Sequence, residues 1–273
     1  MFIFGPRGTG KTKLIESVLS SNSMLISLLD SEYFQRYLTE TSLFSREMTA
    51  KLKSKAQQDT LVVAVDEVQK LPMLLDEVHL LIEKYKGQLV FLLTGSSARK
   101  LRRSGANLLA ARALTTYLHP LSVLELDLDL DTVLRIGSLP GVYLEQDFAK
   151  HRLRSYISTY IKEEVQEESL VRKIDRFARF LDLAGQLNGE PINHSKLGRA
   201  LKTTSNTVQE YFSILVDTLL CHRVDGWSES VKRQLLQAPK YYWFDCGVLN
   251  ALNGELDTEI KRSSFRYGRL FET

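Results

Sequence analysis

The stretch GPRGTGKT, residues 5–12, decides the fold of this 273-residue chain. It fits the pattern G-x-x-x-x-G-K-[ST], with Gly5, Gly10, Lys11 and Thr12 in register. The apolar run MFIF precedes it, and the helix-like segment KLIESVLS follows it. A glycine-rich loop between a strand and a helix is typical of a phosphate-binding loop. We therefore predict a nucleotide-binding loop; the alternative is a glycine-rich turn that opens a helix and binds nothing.

The residue types of this loop suit an anion of several charges. Its three glycines let successive backbone N–H groups turn inward without Cβ clashes, and the following helix adds the positive end of its dipole. Lys11 then reaches the β- and γ-phosphates, and Thr12 offers its hydroxyl to Mg²⁺. The predicted ligands are ATP and Mg²⁺. The predicted nucleotide-binding residues are Gly5, Pro6, Arg7, Gly8, Thr9, Gly10, Lys11 and Thr12.

Short apolar runs alternate with helix-like segments after the loop. The runs are MLISLL from Met24, LVVAV from Leu61, QLVFLL from Gln88 and ALTTYL from Ala113. This alternation predicts a parallel sheet with helices on both faces, and continuous apolar runs suit strands that are buried on both sides. The predicted fold class is therefore α/β, a P-loop NTPase parallel sheet flanked by helices.

The pattern changes near Pro120, where HPLSVLELDLDLD and GSLPG act as punctuation before a mostly helical region. We predict a P-loop ATPase domain over residues 1–122, a helical linker or lid region over 123–190, a winged-helix domain over 191–255 and the start of a truncated element over 256–273. The first strand begins at the initiator methionine, and the final YGRLFET looks like an element that is cut off. We therefore expect a fragment of a longer protein.

Two acids follow the apolar run LVVAV. In a P-loop protein, an acid at the carboxyl end of a strand can hold the Mg²⁺ shell, and this predicts the role of Asp66. Glu67 lies one residue further on, where it can orient or deprotonate a water for attack on the γ-phosphate. The alternative is a pair of surface acids that cap the following helix.

Three more residues are candidates for contact with the γ-phosphate. The run LLTGSSARK ends the fourth predicted strand, and if that strand lies between the loop strand and the Asp66 strand, Thr94 or Ser96 can bond the attacking water. The alternative is a Gly-Ser turn of no chemical importance. Arg112 precedes the fifth predicted strand, where its guanidinium can neutralise charge on the γ-phosphate within its own chain or across a subunit boundary. It can equally be a surface arginine.

A helix-turn-helix pattern begins at Ile192. A short helix, a turn at Thr203-Thr204, a longer helix from Ser205, a strand and a hairpin predict a winged helix-turn-helix domain. Such a domain can place its second helix in the major groove of DNA, with Arg199, Lys202, Lys232 and Arg233 on phosphates. The alternative is a domain that packs against the ATPase or a protein partner.

Composition and charge limit the remaining classes. The net charge of +3 is nearly balanced, so it argues neither for nor against nucleic acid. The two cysteines are too few for a disulfide framework and lack the C-x-x-C spacing of a zinc site, which fits a reducing cytoplasm. No apolar stretch reaches the roughly 18 residues that span a bilayer, and the N-terminus carries no export signal, so no membrane partner is predicted.

Taken together, these segments resemble a prokaryotic family of AAA-type (AAA+) ATPases, in which a nucleotide-binding domain precedes a winged helix and a nuclease-like domain. The resemblance is carried by GPRGTGKT, LVVAVDEVQK, LLTGSSARKL and RALTTYLHPLSVLEL, and further by SYISTYIKEEV, SNTVQEYFSILVDTLL, KYYWFDCGVL and YGRLFET. It implies Mg²⁺-dependent ATP hydrolysis by Lys11, Thr12, Asp66 and Glu67, with Thr94 or Ser96 as sensor and Arg112 as arginine finger. The chain departs from the family at Ala111-Arg112, where Gly-Arg is usual. It also departs at GSLP from Gly137, where Gly-Gly-x-Pro is usual. The family's nuclease-like domain is expected to be missing.

Two functions of different class remain open. One is an ATP-hydrolysing enzyme whose nucleotide state moves a winged-helix domain, either on DNA or in a homo-oligomer or with a protein partner. The other is a nucleotide-sensing DNA- or protein-binding regulator with little turnover. Glu67 favours the enzyme, since a sensor has little need of a base beside Asp66.

Overall fold

The structure is a computed structural model, and it describes residues 1–20, 23–54, 60–97, 101, 113–161, 174–227, 229 and 237–273. Its residues form two compact units, Met1–Leu118 and His119–Thr273. Arg112, Lys232 and Arg233 lie outside the described residues. The division into four parts stays a prediction.

A five-stranded parallel sheet forms the first unit. The strands are β1 Phe2–Phe4, β2 Met24–Ser27, β3 Leu61–Asp66, β4 Leu89–Gly95 and β5 Thr115–Tyr117. They lie in the order β2-β3-β4-β1-β5, and every neighbouring pair is parallel. β4 therefore lies between the strand before the glycine-rich loop and the strand that ends in Asp66. The fifth strand is shorter than the apolar run ALTTYL.

The apolar runs become strands because the sheet is covered on both faces. Val63, Ala64 and Val65 in β3 are all fully buried, as a strand between two helical layers requires. The helices of this unit are α1 Lys11–Val18, α2 Ser31–Thr39, α3 Ser42–Lys53 and α4 Leu74–Lys84. On one side, Phe44 of α3 packs against the ring of Phe91 at a centroid distance of 6.3 Å.

The register of the sheet brings three strand ends together. Phe4 pairs with Gly95 across the β1–β4 ladder, and Val65 pairs with Leu93 across the β3–β4 ladder. The carboxyl ends of β1, β3 and β4 therefore reach the same edge of the sheet. The loop after β1, the acids at the end of β3 and the hydroxyls at the end of β4 all lie at that edge.

The second unit is mostly helical. Its helices are α5 Leu130–Ile136, α6 Pro140–Tyr143, α7 Ala149–Ser155, α8 Ile174–Gln186, α9 His194–Ala200, α10 Ser205–Asp217, α11 Cys246–Leu252 and α12 Phe265–Phe271, with a π-helix over Tyr156–Ile161. The strands β6 Cys221–Val224 and β7 Lys240–Trp243 form an antiparallel pair, and Pro191 makes an isolated bridge to Lys240. In the parts of the chain that the structure describes, no helix is both long and apolar enough to cross a membrane.

Aromatic rings form the centre of the second unit. Phe212 of α10 stacks on Tyr241 of β7 at 4.0 Å, and it meets Phe180 of α8 edge-on at 4.9 Å. α9 and α10 each begin with a side-chain cap, in which Asn193 accepts from the N–H of Lys196 and Thr204 accepts from that of Thr207. These contacts hold two consecutive helices and the β6–β7 pair around one apolar core.

Candidate active site

The loop between β1 and α1 has the backbone of an anion-binding loop. Gly8 and Gly10 have φ angles of 83° and 91°, a region that side chains with a Cβ atom rarely adopt. Gly10 precedes α1, whose start is not capped by a side chain of the described residues. The first turn of α1 also carries no acid of its own, so the positive end of the helix dipole stays available for an anionic ligand.

Lys11 is held inside this loop. Its ammonium donates to the carbonyl oxygens of Gly5 at 2.8 Å and Pro6 at 3.0 Å, and the residue is only 5% exposed. Thr9, also buried, donates its hydroxyl to Pro6 O at 2.9 Å. A Cβ atom at Gly5 would lie 2.4 Å from the carbonyl oxygen of Leu118, so only glycine fits there. The loop thus encloses the cation that the sequence assigns to the phosphates.

Asp66, the last residue of β3, accepts hydrogen bonds from two hydroxyls. Thr12 Oγ1 donates to its Oδ2 at 2.8 Å, and Thr94 Oγ1 donates to its Oδ1. The carboxylate is fully buried. A hydroxyl and a carboxylate in contact are hard oxygen donors of the kind that Mg²⁺ prefers, so the residues present fit this ion.

Glu67 follows Asp66 in an unusual backbone conformation. Its φ and ψ of 59° and 45° lie in the left-handed region, which costs a residue other than glycine on the order of 1–3 kcal/mol. Burial raises the pKa of its carboxyl, and the neighbouring Asp66 raises it further, whereas Lys11, Gln69 and Arg7 act against the shift. The Glu67 carboxylate is therefore close enough to Lys11 and Asp66 to interact with both electrostatically.

The structure separates the two hydroxyls that the sequence left as alternatives. Thr94 contacts Asp66 and also accepts the backbone N–H of Glu67 at 3.3 Å. Ser96, which is 2% exposed, instead accepts from the side chain of Gln69 at 3.0 Å. Thr94 is thus bonded directly to both acids, whereas Ser96 is linked to Glu67 through Gln69.

Sequence reasoning missed Gln69. This residue lies in a short 3₁₀ turn, Val68–Lys70, and its Nε2 also donates to Glu67 Oε2. A glutamine two residues after an acid has no periodicity that would mark it, and its burial depends on contacts with β4.

Most of the predicted site residues lie together at one edge of the sheet: those of the loop, Asp66, Glu67, Thr94 and Ser96. Arg112 lies outside the described residues.

Comparison with known families agrees with this geometry. Residues 1–126 match the model of a family described as an AAA domain, and residues 127–259 match that of a domain of unknown function, DUF8612. The first part of the chain is therefore similar to an AAA domain, and its parallel sheet flanked by helices matches the P-loop NTPase fold.

The chain is also similar to curated mycobacterial proteins. The uncharacterized proteins Mb2031c of Mycobacterium bovis and Rv2008c of Mycobacterium tuberculosis are each 23% identical to it over 197 residues. The match covers 71% of this chain but 44% of each relative, so the chain spans less than half the length of the relatives it matches.

Two solved structures show weaker likeness. The Orc1 protein of Aeropyrum pernix in complex with DNA is 14% identical, with a TM-score of 0.35 over 93% of this chain and 86% of that one. PCH-2 of C. elegans is 15% identical, with a TM-score of 0.31 over 62% of this chain and 39% of that one. TM-scores this low carry no inference about function.

Proposed function

We propose that this chain is an ATPase that binds ATP with Mg²⁺ at the loop Gly5–Thr12 and hydrolyses it with Glu67 as general base. One observation carries the proposal: Thr12, Asp66 and Thr94 form a continuous hydrogen-bonded set, and Glu67 lies directly beside it. The AAA-domain match of residues 1–126 supports the same function.

In this proposal the loop and Lys11 bind the phosphates. The backbone N–H groups at the start of α1 and the positive helix end attract the phosphates. Phosphate oxygens would replace the two carbonyl oxygens that now accept from the ammonium of Lys11. That exchange keeps the buried cation hydrogen-bonded in both states, which a buried ammonium requires.

Thr12 and Asp66 would hold Mg²⁺ through the hydroxyl oxygen and the carboxylate. When bound, the ion supplies positive charge that stabilises the developing charge on the phosphates. Thr94 keeps Asp66 oriented by donating to the carboxylate oxygen that Thr12 does not use. Asp66 therefore has a defined direction at the edge of the sheet.

Glu67 takes the proton in this mechanism. A water that attacks the γ-phosphorus loses a proton to the Glu67 carboxylate as the bond to the leaving oxygen of ADP breaks. The backbone N–H of Glu67 is held by Thr94, so the base and the metal ligand are fixed by the same side chain. We propose that Ser96, which Gln69 links to Glu67, is the hydroxyl that bonds the attacking water.

A phosphate-release assay with matched variants tests this function. Lys11→Ala should abolish or strongly weaken ATP binding, whereas Lys13→Ala, two residues further on and with a side chain 85% exposed, should leave binding unchanged. Glu67→Gln should bind ATP and lose turnover, whereas Glu83→Gln on α4 should keep it. Parent protein that binds ATP without releasing phosphate, with or without DNA, would instead favour a nucleotide-sensing regulator.

We also propose a second activity, binding of DNA through a winged-helix domain over residues 191–255. The supporting observation is a basic row on α9 and the turn after it: Lys196, Arg199 and Lys202 are all exposed. Spacing of three residues places Lys196 and Arg199 on one side of α9, and Lys202 follows in the turn after the helix. Phosphate contacts of this kind fix a protein on DNA without reading its sequence. Under this proposal, nucleotide state is coupled to movement of the winged-helix domain.

Titration with duplex DNA at low salt tests the second activity. Arg199→Ala with Lys202→Ala should weaken binding to all sequences about equally, since these contacts are to phosphates. Lys261→Ala, an exposed lysine elsewhere in the unit, is the control. No measurable affinity at low salt, with or without ATP, would leave α9 and α10 as a surface for packing or for a protein partner.

A further inference from the structure

Gln69 links the two strand ends that carry Glu67 and Ser96. Its side chain is 5% exposed, and a carboxamide buried to this extent normally has hydrogen-bond partners. Both partners of Nε2 belong to the site: Glu67 Oε2 and, at 3.0 Å, Ser96 Oγ. One amide group thus uses its two hydrogens to join the proposed base to the hydroxyl at the end of β4.

The other end of the amide is confined by backbone. Gln69 Oε1 is buried and has no hydrogen-bond partner in the described ranges. A Cβ atom placed on Gly95 would lie 2.5 Å from that oxygen, so the amide occupies the space that a larger residue at position 95 would need. Gln69 therefore has little freedom to rotate, and the bond from Nε2 to Glu67 has a fixed direction.

Such a restraint matters because Glu67 is not held by regular structure. It follows the last residue of β3, has a left-handed backbone and carries a flexible side chain at a half-buried position. A misplacement of about 1 Å in a reacting group can cost on the order of 100-fold in rate. Glu67 gains its side-chain direction from Gln69, while Thr94 fixes only its backbone N–H.

We propose that Gln69 is a positioning residue: it orients the Glu67 carboxylate toward the attacking water and ties that orientation to Ser96. The inference rests on the proposed ATPase function. Gln69 itself takes no proton and contacts no phosphate. Its effect reaches the reaction through Glu67, and this distinguishes it from a glutamine that only fills space.

A double-mutant cycle measures that dependence. Gln69→Met keeps nearly the same volume but removes both donors, so kcat should fall on the order of 10- to 100-fold while the Kd for ATP stays unchanged. In the Glu67→Gln background the same substitution should change kcat by no more than about twofold, because the group it positions is already inactive. Gln88→Met, the same change at an exposed position before β4, is the control.

Equal losses of kcat in both backgrounds would overturn the proposal, since they would indicate a structural role. A rise in kcat in Gln69→Met would overturn it as well, because Gln69 would then hold Glu67 away from the water. A loss of ATP affinity that matches the loss of kcat would also count against it.

Amide exchange in the nucleotide-free protein tests the inference without turnover, and its first comparison, within the parent protein, needs no variant. The side-chain N–H signals of Gln69 should exchange with D₂O more slowly than those of Gln88, and Glu67→Ala should accelerate them. If the parent protein hydrolyses no ATP but Gln69 shows this protection, the proposed function fails and the positioning contact stands. Exchange as fast as that of Gln88 would overturn the inference even in an active ATPase.

Discussion

We predict that Asp245→Asn removes a pH dependence from the stability of the second unit. Asp245 is 4% exposed and precedes α11, where its carboxylate accepts from the backbone N–H of Ser138 at 2.7 Å and of Val248 at 2.9 Å. Burial raises the pKa of this carboxyl from 3.8 to about 6, although four backbone N–H groups act against the shift. Burial raises the pKa of the adjacent Cys246 thiol to about 12, so the thiol stays neutral over the pH range of the measurement.

The sign and size of the effect follow from linkage. Because the folded pKa exceeds the unfolded one, the native state binds more protons than the unfolded state between them. The stabilisation is fully present below the unfolded pKa of 3.8 and is lost as the pH rises through about 6. A difference of about two pKa units corresponds to about 3 kcal/mol, of which about 2 kcal/mol falls between pH ~4.5 and ~7.5.

Urea unfolding followed by tryptophan fluorescence measures this difference. Both tryptophans lie in the second unit, and Trp243 is 1% exposed two residues before Asp245, so the signal reports the right part of the chain. The free energy of unfolding of the parent, minus that of Asp245→Asn, should fall by about 2 kcal/mol from pH ~4.5 to ~7.5. Asparagine keeps one oxygen for the helix cap but has no charge to lose.

Asp257→Asn is the matched control, because its hydrogen bond and ion pair with Lys150 lower the pKa of that exposed carboxyl. Its contribution is present above the unfolded pKa and is lost as the pH falls, so the trend should be reversed and smaller. A difference for Asp245→Asn that stays flat or grows with pH would refute the reasoning, because the carboxylate would then be stabilised by its N–H donors more than it is destabilised by burial.

Further predictions concern the proposed activities. Lys11→Ala should abolish or strongly weaken ATP binding in a fluorescent-nucleotide titration, because the cation facing the phosphates is lost. Glu67→Gln should bind ATP while phosphate release falls roughly 10²- to 10⁴-fold, and turnover at the parent rate would contradict the mechanism. Arg112→Ala should lower hydrolysis more than binding, and partial rescue by mixing with Lys11→Ala chains would show action across subunits. Joint replacement of Arg199 and Lys202 by alanine should lower the salt slope of DNA binding by roughly two units, and an unchanged slope would exclude phosphate contacts there.

The first unit could be predicted in outline because its signals are local. A fixed loop pattern between a strand and a helix, and apolar runs long enough to be buried on both sides, each depend on neighbouring residues. Strand order depends on distant residues instead. The sequence assigned Thr94 and Ser96 only on the condition that β4 lies between β1 and β3, and the structure meets that condition. The strand β5, Thr115–Tyr117, is shorter than the run ALTTYL that predicted it, and its residues are exposed at the sheet edge.

The detail of the site could not be predicted for a physical reason. Thr94 and Ser96 are two residues apart and carry the same functional group, so the sequence treats them alike. In the structure, Thr94 donates to Asp66 and Ser96 accepts from Gln69. The partners differ because strand pairing fixes where each hydroxyl lies relative to the turn after β3. The proposed role of Gln69 depends on its contact with Ser96, which is 27 positions further along the chain.

Asp245 shows the same limit over a longer distance. In the sequence it is one acid among many, next to an apolar run. Its burial depends on the segment around Ser138, which is 107 residues earlier in the chain. Gly137 leaves the space for it, since a Cβ atom there would lie 2.1 Å from the carboxylate.

The left-handed backbone at Glu67 lowers the stability of the fold at the residue proposed for turnover. Glycine adopts this conformation freely, and asparagine adopts it more readily than glutamate, so either residue would relieve a local cost on the order of 1 kcal/mol. A library of this chain selected only for heat resistance would therefore enrich glycine or asparagine at position 67, and the survivors would be those without the proposed base. Selection in nature that retained glutamate would have to act on turnover itself.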